Sequence, residues 1–339
     1  MRVGIDARKL ADFGIGTYIR GLLRGLVELK SGDEYIAFAP EEANLPAEVE
    51  HIVVDAPHYS IRELFAVGRA ADRARLDVFH APHYVVPFTN VPVVVTIHDL
   101  IHLHQPLRNP IAKLYARVML NRAVHKARCV LTVSNAVKEQ LERELGATNV
   151  KVTPNGVEMR PGMRASGPAG DYFLYAGNDK PHKNVGTLAE AAKRAGVRLV
   201  LVGASFKEYG GRGFVSDGEL SELYANALAL VLPSDEEGFG LPAAEAMAHG
   251  TAVITSRAPA LVELTGDAAL HVDARDADAL AEAMLRVAND AALREQLGAK
   301  GLERAREFTW KRCAEATREA YEEARIRGTS WNVASKLRF

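Results

Sequence analysis

A chain of 339 residues is longer than one hydrophobic core usually serves, so two domains of about 100–200 residues each are expected. Hydrophobic residues at 48% and charged residues at 25% are ordinary for a soluble protein, and a formal net charge of -1 argues against a protein that wraps nucleic acid. Two cysteines far apart in sequence, Cys129 and Cys313, suit a reducing compartment without a disulfide framework.

The opening "MRVGIDARKLADFG" acquires charges at once and lacks the apolar run of a secretory signal. No window approaches the roughly eighteen consecutive apolar residues of a membrane span. A cytoplasmic enzyme is the expectation, with peripheral contact at the inner face of the membrane left open. "RVGIDA" (2–7) reads as a strand, and "GIGTYIRGLLRGLVEL" returns apolar side chains at helical spacing. "YIAFAP", "HIVVDA", "LDVFHAP", "VPVVVTIHD" and "ARCVLTVS" are further strands separated by helical stretches. Their nearly unbroken apolar character suits a parallel sheet covered on both faces, and right-handed crossovers then build a doubly wound domain.

Between Leu100 and Lys138 there is no acidic residue, but there are seven basic ones: Arg108, Lys113, Arg117, Arg122, Lys126, Arg128 and Lys138. They fit either a solvated helix face or a basic surface over 108–138 that meets anionic lipid or a phosphorylated acceptor. The uncompensated charge favours the second. Residues 156–170, rich in glycine and proline and without periodicity, read as an interdomain linker. A second α/β series follows, with "DYFLYAG", "VRLVLVG", "LALVLPS", "TAVITS" and "AALHV" as strands. Helical patterns then run to about Arg327, and the last helix, opened near Trp310, is long enough to pack back on the first domain.

Ligands of open α/β sheets bind at the carboxyl ends of the strands. In the first half those ends carry Gly14 and Gly16, His80, His83, His98 with Asp99, and Ser134 with Asn135. Gly14 and Gly16 precede a helix start and serve either phosphate approach or tight packing; the third glycine of a dinucleotide fingerprint is missing. His98, His102 and His104 raise a zinc alternative, but no protease-type glutamate or cysteine joins them. In the second half, "YAGNDKPHKN" (175–184) brings Lys180, His182 and Lys183 to a helix start, either as a metal-free diphosphate clamp or as a solvated turn. "LPSDEEGFGLPAAEAMAHGTAVI" (232–254) sets Asp235, Glu236 and Glu237 against the turn Gly238-Phe239-Gly240, with Pro242 suited to the first helical position and Glu245 one turn on. Two carboxylates at different depths suit two sets of vicinal hydroxyls, hexose at one end and ribose at the other. The amides and lysines are left to hold a diphosphate between them.

From "GIGTY" through "TIHDL", "TVSNAVKEQL", "VTPNGVE", "YAGNDKPHKN" and "EEGFGLPAAEAMAHGTAVI" to "FTW", the chain resembles the retaining glycosyltransferases of family 4, in their mannosyltransferase-like branch. The resemblance implies a GT-B fold of two Rossmann-like doubly wound domains facing a central cleft. The acceptor-binding domain would span 1–158 and the nucleotide-sugar domain 171–309, with 310–339 a helix returning to the first. It implies His98, Glu237 and Lys183 as catalytic residues. Gly16, Asn178, Lys180, Lys183, Gly238, Phe239, Gly240, Leu241 and Glu245 would bind the donor. Many relatives carry an arginine shortly before the phosphate lysine; Asn178-Asp179-Lys180 stands here instead, and a lysine lacks the bidentate fork. The implied reaction uses a GDP- or UDP-sugar, no divalent metal, and a glycan or lipid-linked acceptor. GDP-mannose is favoured over UDP-glucose. A sugar-nucleotide epimerase and a non-catalytic sugar-binding scaffold are the competing readings.

Overall fold

Strand residues divide by parity between two cores. In β2 (Glu34–Ala39), Tyr35, Ala37 and Ala39 join one apolar cluster while Ile36 and Phe38 join another on the opposite face. That division is what an unbroken apolar run means in a sheet covered on both sides. The computed structural model describes residues 1–57, 60–104, 110–160, 170–203, 206 and 209–336. Most of the glycine- and proline-rich stretch assigned to the linker, and Arg108, lie outside them.

The chain forms two compact units, residues 1–156 with 310–339, and residues 157–309. The first holds β1 (Arg2–Asp6), β2, β3 (Glu50–Val53), β4 (Val78–Ala81), β5 (Val93–Ile97), β6 (Cys129–Thr132) and β7 (Val150–Val152). They pair in parallel in the order β3-β2-β1-β4-β5-β6-β7. β1 is followed by α1 (Ile15–Glu28), β3 by α2 (Ile61–Arg73), β5 by α3 (Ile101–His104) and α4 (Pro110–Lys126), and β6 by α5 (Asn135–Leu145). Serines end the incoming loops of two of these helices: Ser60 accepts from Glu63 N–H and Ser134 from Val137 N–H. One face of the sheet packs on α1 and α12 (Trp310–Lys336), the other on α2, α4 and α5.

From Trp310 to Glu323, α12 is held against the rest of the first unit. Trp310 lies over Gly21, where an added Cβ would stand 2.1 Å from its ring. Tyr321 is fully buried, with its hydroxyl 2.7 Å from His80 Nδ1. Arg318 donates to Asp33 at 2.6 Å, and Lys151 pairs with Glu323.

The second unit is a five-stranded parallel sheet: β8 (Tyr172–Gly177), β9 (Arg198–Gly203), β10 (Ala229–Leu232), β11 (Ala252–Ser256) and β12 (Ala269–Val272). The order is β12-β11-β10-β8-β9. Its helices are α6 (Val185–Ala195), α7 (Asp217–Asn226), α8 (Leu241–Ala248), α9 (Pro259–Thr265), α10 (Ala277–Asn289) and α11 (Ala291–Ala305), with α6 packed on α10 and α8 on α11. The winding reverses between β8 and β10, and so the loops leaving those two neighbouring strands part in opposite directions at the carboxyl edge.

Candidate active site

The loop after β8 and the loop after β10 are stitched together at that reversal. Asp235 N–H donates to the His182 carbonyl at 2.8 Å, and Asn184 Nδ2 donates to the Pro233 carbonyl at 3.0 Å. Across this seam Lys183 Nζ meets Glu237 Oε1 at 2.5 Å. The Ser234 hydroxyl donates to the same oxygen at 2.7 Å. Side-chain exposures of 15% for Lys183 and 10% for Glu237 put the pair at the mouth of the sheet in low-dielectric surroundings. Lys183 closes a 3-10 turn, Pro181–Lys183, and Asn184 then enters the left-handed region at φ 51° before α6 starts.

Upstream in that loop, the Asn178 side chain accepts from the Lys180 N–H at 3.2 Å, and its carbonyl accepts from the Tyr175 hydroxyl at 2.7 Å. Asn178 therefore shapes the turn. Lys180 is exposed and makes no side-chain hydrogen bond or ion pair among the described residues.

On the other side of Glu237 the turn is inward-looking. Phe239 is buried and packs edge-on against Phe308 at 5.5 Å, so its main chain is the part left for a ligand. Gly240 sits at φ 98°, and a Cβ there would lie 2.5 Å from Leu261 Cδ2. Both conditions select glycine. α8 starts at Leu241, which puts Pro242 at the second helical position, one later than the sequence suggests. No side chain caps this end, and the Leu241 N–H has no acceptor among the described residues. The start of α8 thus offers free N–H capacity beside Gly238 and Glu237. One turn further on, Glu245 is half-buried and accepts from the Tyr224 hydroxyl at 2.7 Å. Burial pushes its carboxyl up to about 7, Tyr224 works against that rise, and Asp217 and Glu158 add to it.

In the first unit the reversal falls between β1 and β4, and His98 sits one strand away, just past β5. Its Nε2 is 3.0 Å from the Pro82 carbonyl, and the Tyr18 ring stands edge-on at 4.8 Å. A carbonyl can only accept, so the proton belongs on Nε2 and Nδ1 is left as an acceptor. Burial holds the imidazole below its usual range, and His98 is neutral near pH 7. Behind it runs a fully buried chain: Tyr18 hydroxyl to Thr96 Oγ1 at 2.9 Å, Thr96 to His80 Nε2 at 2.8 Å, and His80 to Tyr321. Gly16 lies in the first turn of α1, where a Cβ would come within 2.3 Å of the Leu10 carbonyl oxygen; close packing already accounts for this glycine.

The three histidines of the zinc alternative have separate partners. His98 faces Pro82, the His102 ring meets Tyr84 at 6.0 Å, and His104 meets Glu144 at 2.8 Å. Among the described residues no group of three or more metal-ligating side chains forms.

Sequence reasoning missed Ser234, Tyr224 and the Asp6–Arg8–Glu63 cluster. Arg8 is buried between the two carboxylates at 2.7 and 3.2 Å. Burial works to raise Asp6, but His83 and Arg8 more than offset it and hold the carboxyl below the usual range. A polar residue with no motif around it gives no sequence signal for such contacts. In the basic segment, Lys113, Arg117 and Lys126 are exposed. Arg122, by contrast, donates to the Val86 and Pro87 carbonyls and lies 4.2 Å over the Phe88 ring.

Residues 14–160 match the family described as Glycosyltransferase Family 4, and residues 167–304 match Glycosyl transferases group 1. The chain is 29% identical over 281 residues to O-antigen chain mannosyltransferase B of Escherichia coli, covering 72% of this chain and 74% of that one. It is 30% identical over 214 residues to an O-antigen chain mannosyltransferase of Salmonella typhimurium, covering 57% of this chain and 60% of the relative. In fold it is similar to sucrose-phosphate synthase from Thermosynechococcus elongatus, with a TM-score of 0.79 at 23% identity over 95% of this chain and 98% of that one. With two Rossmann-like parallel-sheet units of the GT-B type and both family matches, the chain belongs to the family 4 glycosyltransferases.

Proposed function

We propose that this glycosyltransferase is a retaining enzyme that moves a hexose, with mannose from GDP-mannose favoured, to a glycan or lipid-linked acceptor without a divalent metal. The observation that carries the reading is the Lys183–Glu237 pair at the strand reversal, beside the uncapped start of α8. Negative charge grows on the departing β-phosphate, and Lys183 with the amides of Gly238, Phe239, Gly240 and Leu241 would stabilise it. Asn178 would shape the loop and the exposed Lys180 would supply a second cation. Glu237 would hold the hydroxyls of the transferred sugar and Glu245 those of the ribose. His98 would accept a hydrogen bond from a hydroxyl of the transferred sugar through Nδ1, and Gly16 would be given to the phosphate by the family resemblance alone. The acceptor hydroxyl would pass its proton to the leaving phosphate on the same face. The names of the two bacterial relatives support mannose and a glycan acceptor.

Calorimetric titration with GDP, UDP and ADP in EDTA tests the donor. Selective GDP binding, weakened by Glu245→Ala, is expected; selective UDP binding would replace mannose with glucose as the donor to pursue. No binding of any of the three would remove the donor assignment. The anomeric configuration of the product, read by NMR, decides retention.

We also propose that the exposed basic side chains of α4 meet an anionic membrane surface. Among the described residues, no helix is long and apolar enough to cross a membrane. Lys113→Glu with Arg117→Glu should weaken sedimentation with anionic vesicles, and unchanged binding would end the idea. Arg122 is unsuited to this test because its guanidinium is already engaged.

A further inference from the structure

Beside the Lys183–Glu237 pair, the second unit buries a polar chain that the proposed reaction leaves unexplained. Tyr224 is 2% exposed, and its hydroxyl donates to Glu245 Oε2. Its ring lies 5.4 Å from the His249 ring at an interplanar angle of 30°. His249 Nδ1 faces the Glu245 carbonyl at 2.8 Å, so the proton belongs there and Nε2 accepts from the Ser221 hydroxyl at 2.7 Å. Thr251 Oγ1 donates to the Tyr224 carbonyl at 2.6 Å. Every polar atom of this chain is spoken for except one. Glu245 Oε1 has no hydrogen-bond partner among the described residues and is not among the buried unpaired atoms, so it reaches solvent.

We infer that Tyr224 is a positioning residue for nucleotide recognition, holding Glu245 Oε2 so that the carboxylate presents Oε1 to a ribose hydroxyl. The inference rests on the reading of Glu245 as the ribose ligand. An ionised carboxylate has acceptors on both oxygens and suits a vicinal diol; a protonated one spends an oxygen as a donor. The tyrosine hydroxyl favours the ionised form, against burial and against the two carboxylates that face it, Asp217 at the start of α7 and Glu158. Glu158 is itself paired with Arg160 at 2.8 Å, and His249, on the end of α8, is held neutral by burial. Nucleotide affinity should therefore fall as pH drops through about 7. Without the hydroxyl, that fall should begin at a higher pH.

The test is the affinity for GDP or UDP, whichever the wild type binds, measured from mildly acidic to mildly alkaline pH in wild type, Tyr224→Phe and Glu245→Gln. Phenylalanine keeps the ring against His249, and near-UV circular dichroism checks that each variant is folded. Wild-type affinity should weaken several-fold on the acid side. Tyr224→Phe should bind about tenfold more weakly at neutral pH and recover toward wild type at alkaline pH. Glu245→Gln should be weak and flat. The phosphate titration of the nucleotide is common to all three proteins and cancels in the comparison. As a second measurement on wild type, a 2′,3′-dideoxy nucleotide should lose the pH dependence that Glu245 confers. A uniform change for Tyr224→Phe at every pH, or none, would reduce Tyr224 to a packing residue. An unweakened Glu245→Gln at alkaline pH would instead remove the ribose reading itself, and the inference with it.

Discussion

Glu245 keeps a proton to about pH 7 where an ordinary glutamate gives it up near 4.5. Between those values the folded chain binds more protons than the unfolded chain, so stability declines as pH rises through that window and stays reduced above it. The penalty is on the order of 1–3 kcal/mol, toward the low end because the side chain is only half-buried. Glutamine has the same shape, accepts from Tyr224 and carries no charge. Glu245→Gln should therefore raise the melting temperature at pH 8, with little change at pH 5, while lowering nucleotide affinity. An unchanged or lower melting temperature at pH 8 would show that the carboxylate carries no such cost. A residue that costs stability where a neutral isostere would not is what a binding group looks like in a helix otherwise filled with apolar side chains.

Two glycines of α1, Gly21 and Gly25, let α12 come close. At Gly25 an added Cβ would lie 2.5 Å from the Trp310 carbonyl and 3.0 Å from Ala314 Cβ, and backbone cannot swing aside as a side-chain tip can. Alanine improves helix propensity by about 1 kcal/mol, but overpacking costs about 1–3 kcal/mol. Gly25→Ala is thus expected to destabilise in urea unfolding; a neutral or stabilising result would mean that α12 shifts along α1 without penalty. Elements of this kind divide sharply in how readable they are. Strands such as β5 and β11 announce themselves as apolar runs, whereas β7, with three residues and Lys151 at its centre, does not rise above its surroundings. The acid cluster, the glycine turn and Glu245 are contiguous, so the site's outline is legible within twenty-odd residues. Lys183 reaches Glu237 across 54 positions, a pairing that exists only once β8 and β10 lie side by side, and Tyr224 reaches Glu245 across 21, from α7 to α8. Arg122 was misleading for the opposite reason: in sequence it is one more cation in a basic run, in space it is a clamp on two carbonyls.

Across the whole molecule, each unit has its own sheet and core, and a nucleotide bound by residues 157–309 should stabilise that unit selectively. At a hundredfold excess over Kd the gain is about 2.7 kcal/mol. Calorimetry is expected to resolve an unfolding step that moves up with added nucleotide, while hydrogen exchange within residues 1–156, outside the first turn of α1, stays unchanged. Equal protection of both units would mean that they unfold as one. The unit boundaries also impose an order on biosynthesis. The sheet of the first unit is complete by Val152, yet the pocket around His80 is closed by Tyr321, and Leu22 and Leu26 are covered with the help of α12. At about 5–20 residues per second, a ribosome needs roughly ten to thirty seconds to bridge that gap. The contiguous second unit can therefore finish folding while the first still waits with an open flank. A premature stop just before Trp310 would spare the later domain and strand the earlier one.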